Sequence, residues 1–171
     1  PGLEVTDGRV EAMPRRFAGV WFTYPRATAT AHLVVDGRRV SVSSVHLDVW
    51  EPGRLAHVDR ILAGLDDGVA HVVAGDLNEG PEGESWARLT ARLTDAVEGG
   101  GPPSPATATR RPRSRLDAVL LGGPVAAVGH RTGPDRSGLP SDHLPVLVTL
   151  ELPGTAAAPG RSDQGCPSGA W

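Results

Sequence analysis

Ala70-His71-Val72-Val73-Ala74 runs without a break into Gly75-Asp76-Leu77-Asn78. The first five residues read as a short buried strand. Residues two apart on an extended chain face the same way, so Asp76 and Asn78 present a carboxylate and an amide to one place. Outward from this strand, Leu55, Val58, Ile61, Leu62 and Leu65 fall on one 3.6-residue stripe and predict a helix that Asp66-Asp67-Gly68 ends. On the other side Glu82 to Leu93 predicts a second helix, with Trp86, Leu89 and Leu93 on its inner face. A strand between two amphipathic helices places this segment in an α/β fold.

Farther out, Asp36-Gly37 separates two β-rich runs, Ala31–Val35 and Arg38–Leu47, a hairpin signature because a type I′ turn needs positive φ at both central positions. The second run alternates and then slips phase at Ser43-Ser44. A bulge, or a strand buried on both faces, accounts for the slip. Three more strands are expected at Leu116–Leu121, Val125–Val128 and Val146–Leu152. Residues 99–115 are Gly, Pro, Ser, Thr and Arg and predict a long loop. Residues 1–29 are weakly patterned apart from Val20-Trp21-Phe22-Thr23-Tyr24, which has strand composition. The expected order is β-β-α-β-α-β-β-β, a mixed sheet with helices packed on it. One domain over 1–152 and a disordered Gly/Ala/Pro/Ser-rich tail over 153–171 account for the whole length.

Composition narrows the function classes. With Gly counted, about half the chain is apolar, the globular norm, which excludes wholesale disorder. No apolar run approaches the ~18 residues that a membrane span needs. A net charge of −3 does not favour tight non-specific binding to nucleic acid. All 17 basic residues are Arg, so an Arg is weak evidence of function, whereas Asn78, the only Asn, is worth locating. The single Cys166 excludes an internal disulfide or a Cys-based zinc cluster. No targeting signal is visible and the chain reads as truncated at its N-terminus, so targeting is not read from it, and cytoplasmic and secreted bacterial settings both stay open.

The polar residues of interest fall at expected strand ends. Taken singly each has an ordinary explanation. Asp76 and Asn78 suit a turn or helix cap, and Asp117, set among apolar residues, suits a salt bridge to Arg. Asp142 suits an Asx-turn, while His46 and His143 suit packed interior histidines. Taken together, Ser-x-x-His-Leu (43–47), Gly-Asp-Leu-Asn (75–78), Arg-Leu-Asp-x-x-Leu (115–120) and Ser-Asp-His-x-Pro-Val (141–146) occur in this order. The combination resembles the endonuclease/exonuclease/phosphatase superfamily, which includes DNase I-like nucleases, exonuclease III-like enzymes, sphingomyelinases and inositol phosphatases. The resemblance spans about residues 30–152.

That resemblance implies a four-layer α/β sandwich and divalent-metal-dependent hydrolysis of phosphate mono- or diesters, with Mg²⁺ or Mn²⁺ as cofactor. It implies that Asp76 activates the attacking water and shares the metal side with Asp142. Asn78 is then the amide on the phosphate, Asp117 the acid that orients His143, and His46 the imidazole near the transferring phosphoryl group. Arg110, Arg111, Arg113 and Arg115 lie where a loop could grip phosphate, Arg113 foremost. The family also places an early Asn and a metal-binding Glu on strand ends. Here no Asn precedes residue 30, and Glu4 and Glu11 sit in weakly patterned sequence. The chain therefore reads as the C-terminal part of a larger domain, missing a partner half. The competing reading is a non-catalytic phosphate-binding or scaffold domain of the same fold. Within the enzyme reading, a DNA nuclease competes with a lipid or small-molecule phosphodiesterase, and the acidic balance leans to the latter.

Overall fold

The computed structural model describes residues 3–14, 24–97, 115–132 and 141–153. Its framework is a six-stranded sheet built from β1 (Leu3–Ala12), β2 (Ala27–Val35), β3 (Arg38–His46), β4 (Ala70–Asp76), β5 (Thr94–Asp95) and β6 (Asp117–Gly122), in the order β1-β2-β3-β4-β6-β5. The hairpin between β2 and β3 turns at Asp36 and Gly37, both at positive φ (49° and 77°), as the Asp-Gly pair requires. β4 lies parallel to β3, and such a pair needs a crossover. Helix α1 (Glu51–Ala63) supplies it. β6 then returns antiparallel to β4, so the start of β6 lies beside the end of β4.

Apolar residues occupy both faces of this sheet. On one face Val45, Val73, Ala118 and Leu120 pack under Val58 and Ile61 of α1 and Trp86 and Leu89 of helix α2 (Glu84–Thr90). On the other, Val40, Val72 and Leu121 lie under a two-stranded sheet of β7 (Ala126–Thr132) and β8 (Val146–Glu151), which contributes Ala127 and Val148. Burying one such Leu or Val side chain contributes about 1.5–3 kcal/mol, so the two clusters fix which face of each strand points where.

This arrangement resolves the phase slip in β3. Its register with both neighbours is continuous from Val40 to Ser44, without a bulge. Instead Val40 and Val42 face the β7–β8 side and Val45 faces the helices, as in a strand with apolar residues on both faces. Register shifts occur instead in β1, between Val5 and Asp7, and in β7, between Ala127 and Gly129.

The structure departs from the sequence reading in three places. β1 forms in the weakly patterned N-terminal segment, where the short alternations Leu3-Glu4-Val5 and Val10-Glu11-Ala12 correspond to almost no burial. The second helix runs only from Glu84 to Thr90, and β5 follows where the helix was expected to fade. Within α1 the buried side includes Arg54 and His57, while Leu55 is only half-buried. Val20–Thr23, most of the 99–115 loop with Arg113, and nearly all of the 153–171 tail lie outside the described residues.

Candidate active site

His46, Asp76 and Asp117 occupy one row across the sheet. In the ladder His46 is the partner of Asp76, and Asp76 the partner of Asp117. Residues paired this way project to the same face, so three adjacent strands deliver an imidazole and two carboxylates together. The fourth group comes from the turn before β8. His143 is joined to Asp117 through its Nδ1, 2.7 Å from Asp117 Oδ2. This contact turns Nε2 toward Asp76, whose Oδ2 lies 4.0 Å from His143 Nε2 and 3.4 Å from His46 Nε2.

The backbone around Asp76 is shaped for this row. Gly75 has φ of 149°, and a Cβ there would collide with the Val45 carbonyl of the neighbouring strand. Only glycine accommodates that close approach. Asn78 takes a left-handed φ of 52°, which Asn tolerates better than most side chains. Its N–H donates to Asp76 Oδ1 (2.8 Å), and its side-chain Nδ2 donates to the Leu47 carbonyl (2.8 Å). Asn78 therefore joins the ends of β3 and β4.

The two imidazoles are pushed apart electrostatically. For His143, burial opposes the charged form. The hydrogen bond and charge of Asp117, with Asp76 and Asp142 nearby, outweigh it and raise the pKa above 6.5. For His46, burial and the positive charge of Arg26 outweigh Asp76 and lower the pKa below 6.5. Around the ordinary histidine pKa the site thus holds one neutral and one protonated imidazole. An NMR titration of the metal-free protein should give apparent midpoints on opposite sides of 6.5, His143 above and His46 below. Asp117→Asn should bring the His143 midpoint down. Coinciding midpoints would contradict this electrostatic division.

The remaining sequence-selected residues fall as follows. Asp142 is exposed beside His143. Arg115 does not grip phosphate from a loop. It is buried, makes a two-pronged ion pair with Asp95 (2.6 and 2.7 Å), and lies over the Trp86 ring at 4.7 Å. Arg26 went unread in the sequence, since nothing distinguishes it from sixteen other arginines. Glu11 on β1 is held by Arg60 at 3.1 Å and Arg9 at 3.7 Å.

The donor set suits a hard divalent cation in kind but not in number. Asp76 and Asp142 offer carboxylate oxygens, the ligands Mg²⁺ prefers. Yet among the described residues no three metal-binding side chains are grouped closely enough to hold an ion. Asp76 Oδ1 is already engaged by the Asn78 N–H.

Comparison with known proteins bears on the fold. The endonuclease/exonuclease/phosphatase from Bacteroides vulgatus superposes with a TM-score of 0.73 at 19% identity, covering 88% of this chain and 67% of that one. The mannosyl-6-phosphatase of Bacteroides thetaiotaomicron gives 0.68 at 15% identity, with 88% and 67% covered. D. rerio TDP2, complexed with single strand DNA product, gives 0.66 at 16%, with 88% and 69% covered. The chain thus spans about two thirds of the length of these structures. No curated protein sequence matches it significantly. Residues 4–143 match the Endonuclease/Exonuclease/phosphatase family, and the chain, a mixed α/β fold, belongs to it.

Proposed function

We propose that this chain carries the hydrolytic site of a divalent-metal-dependent phosphoesterase acting on phosphate mono- or diesters. The observation that supports it best is the convergence of His46, Asp76, Asp117 and His143 on one edge of the sheet. The names of two structural neighbours, a mannosyl-6-phosphatase and TDP2 with its DNA product, support phosphate esters as the substrate class.

In this reading Asp117 is a positioning residue. It accepts the Nδ1 proton of His143, fixes the tautomer, and stabilises the imidazolium. His143 Nε2–H then points at the space in front of Asp76, where it can donate to a non-bridging phosphate oxygen. Asp76 Oδ2 orients the attacking water and takes its proton as the new P–O bond forms. The ester P–O bond on the far side of phosphorus breaks, and the departing oxygen takes a proton from solvent and leaves as the alcohol. His46, held neutral, contacts the phosphoryl group from the opposite side of Asp76. Asn78 keeps one amide N–H to donate to a phosphate oxygen after serving Leu47. A bound Mg²⁺ or Mn²⁺ would supply Lewis-acid neutralisation of charge at phosphorus, with Asp76 and Asp142 as its ligands here. Its other protein ligands would come from residues other than those described. No described helix is long and apolar enough to cross a membrane, and the net charge of −3 favours a lipid or small-molecule ester over duplex DNA.

The test is hydrolysis of chromogenic phosphate mono- and diesters with Mg²⁺, with Mn²⁺, and after chelation. Expected are metal-stimulated turnover, its loss on chelation, and weak calorimetric binding of Mg²⁺ to the 171-residue chain. Turnover indifferent to chelation would remove the metal from the scheme. Ester binding without hydrolysis at any metal concentration would favour the scaffold reading instead.

A further inference from the structure

Beneath the catalytic row lies a second polar assembly that the scheme above does not use. Arg54 projects from the first turns of α1 and is buried, an uncommon place for an arginine. Its Nη1 donates to the Val49 carbonyl (2.7 Å) and the Asp48 carbonyl (3.3 Å), in the loop that follows His46 and Leu47. Its Nη2 donates to Glu79 Oε1 (2.8 Å), in the residue that follows Asn78. One guanidinium thus spans the two loops that carry the ends of β3 and β4.

Both ends of this span are themselves fixed. Glu79 Oε2 accepts the Ser85 N–H (2.7 Å), and its carbonyl accepts Trp86 Nε1 (2.7 Å), which fastens the loop to α2. Asp48 is 2% exposed, and its Oδ1 accepts the Trp50 N–H (2.9 Å). A Cβ on Gly53 would come within 3.0 Å of the Asp48 side chain, so α1 is seated directly on it. A buried pair of this kind gives little net stability, because desolvating both charges offsets their attraction. What a rigid planar fork does supply is geometry.

We propose that Arg54 and Glu79 are positioning residues, a strut that sets the distance between the His46 loop and the Asp76–Asn78 loop. This inference rests on the phosphoesterase reading for its kinetic consequence only, since the spacing itself can be observed without turnover. The reporter is Asn78, whose side-chain NH₂ bridges to Leu47 across the gap the strut spans. Asn78 is the only Asn and Gln164 the only Gln, so the side-chain amide region of an NMR spectrum holds two pairs of signals.

The experiment compares Glu79→Gln, Arg54→Lys and Arg54→Met in the full chain. Glu79→Gln keeps the shape but meets the guanidinium donors with an NH₂. Arg54→Lys keeps the charge but cannot reach both loops at once. Both are expected to shift the Asn78 side-chain amide signals while leaving those of Gln164 in place. Each should lower kcat about 10- to 100-fold with KM changed less than about threefold, as displacement of a catalytic group does. Arg54→Met should do the same more severely; if it fails to fold, the two conservative variants decide. Unmoved Asn78 signals in a folded Glu79→Gln or Arg54→Lys protein would overturn the strut. If the parent chain hydrolyses no ester, the phosphoesterase reading falls and the amide signals alone decide the strut.

Discussion

Replacing His143 with Ala is expected to lower turnover of a chromogenic phosphodiester by about 10²–10³-fold, the cost of losing one donor aimed at charge developing in the transition state. The protein should remain folded, because the His143 side chain is partly exposed and belongs to neither apolar cluster. Asp117→Asn tests the same assembly from behind. The amide cannot stabilise the imidazolium as a carboxylate does, and it can donate a proton that turns His143 to the wrong tautomer. Turnover should therefore fall by orders of magnitude while the imidazole stays in place. KM should change little in both variants if His143 acts chiefly in the transition state. Rates near those of the parent in either variant would remove the Asp117–His143 pair from the chemistry.

A second large effect is expected in stability. Asp95 is completely buried as a side chain, bonded to both terminal nitrogens of Arg115, and also accepts the Val97 N–H at 3.1 Å. Asp95→Ala would leave a guanidinium in the interior with no counter-charge, at a cost of about 3–5 kcal/mol. That is a large share of the roughly 5–15 kcal/mol a domain usually has. The double variant Asp95→Leu, Arg115→Met should recover most of the loss, since paired apolar side chains of similar volume avoid the desolvation penalty altogether. Urea unfolding of the single and double variants measures both. A single variant within about 1 kcal/mol of the parent would mean that the pair is solvated in the native protein.

That His46, Asp76 and Asp117 would come together was legible because each of them sits where periodic, apolar sequence stops. Asp76 ends the run Ala70–Ala74, Asp117 opens Ala118–Leu121, and His46 closes β3. Strand ends are visible as changes of pattern, and the row is made of strand ends. The resemblance to a family supplied roles, which pattern alone does not carry. β1 was not legible, for the opposite reason. Its hydrogen bonds to β2 run the length of the strand, but it covers little core, so no burial pattern marks it. The buried Arg54, His57 and Arg115 were not legible either. In a chain whose every cation is Arg, a structural guanidinium and a solvated one look alike until partners such as Glu79 and Asp95 are in view.

The pairing of His46 with Asp76 and of Asp76 with Asp117 has a consequence for how such a chain can change over time. Adjacent strands keep a spacing near 4.8 Å, so the backbone positions of the three residues inherit their separation from the ladder, and Arg54 governs only the loops beyond His46 and Asp76. Length can therefore vary cheaply in the turn between α1 and β4 without moving the row, whereas the start of α1, whose Arg54 is tied to both loops, cannot shift so freely. One residue gained or lost inside β4 would turn Asp76 to the helix-covered face and remove it from the site at a stroke. Insertions and deletions tolerated by selection should accordingly crowd into the connections and spare the strands, including buried positions such as Val72 and Val73.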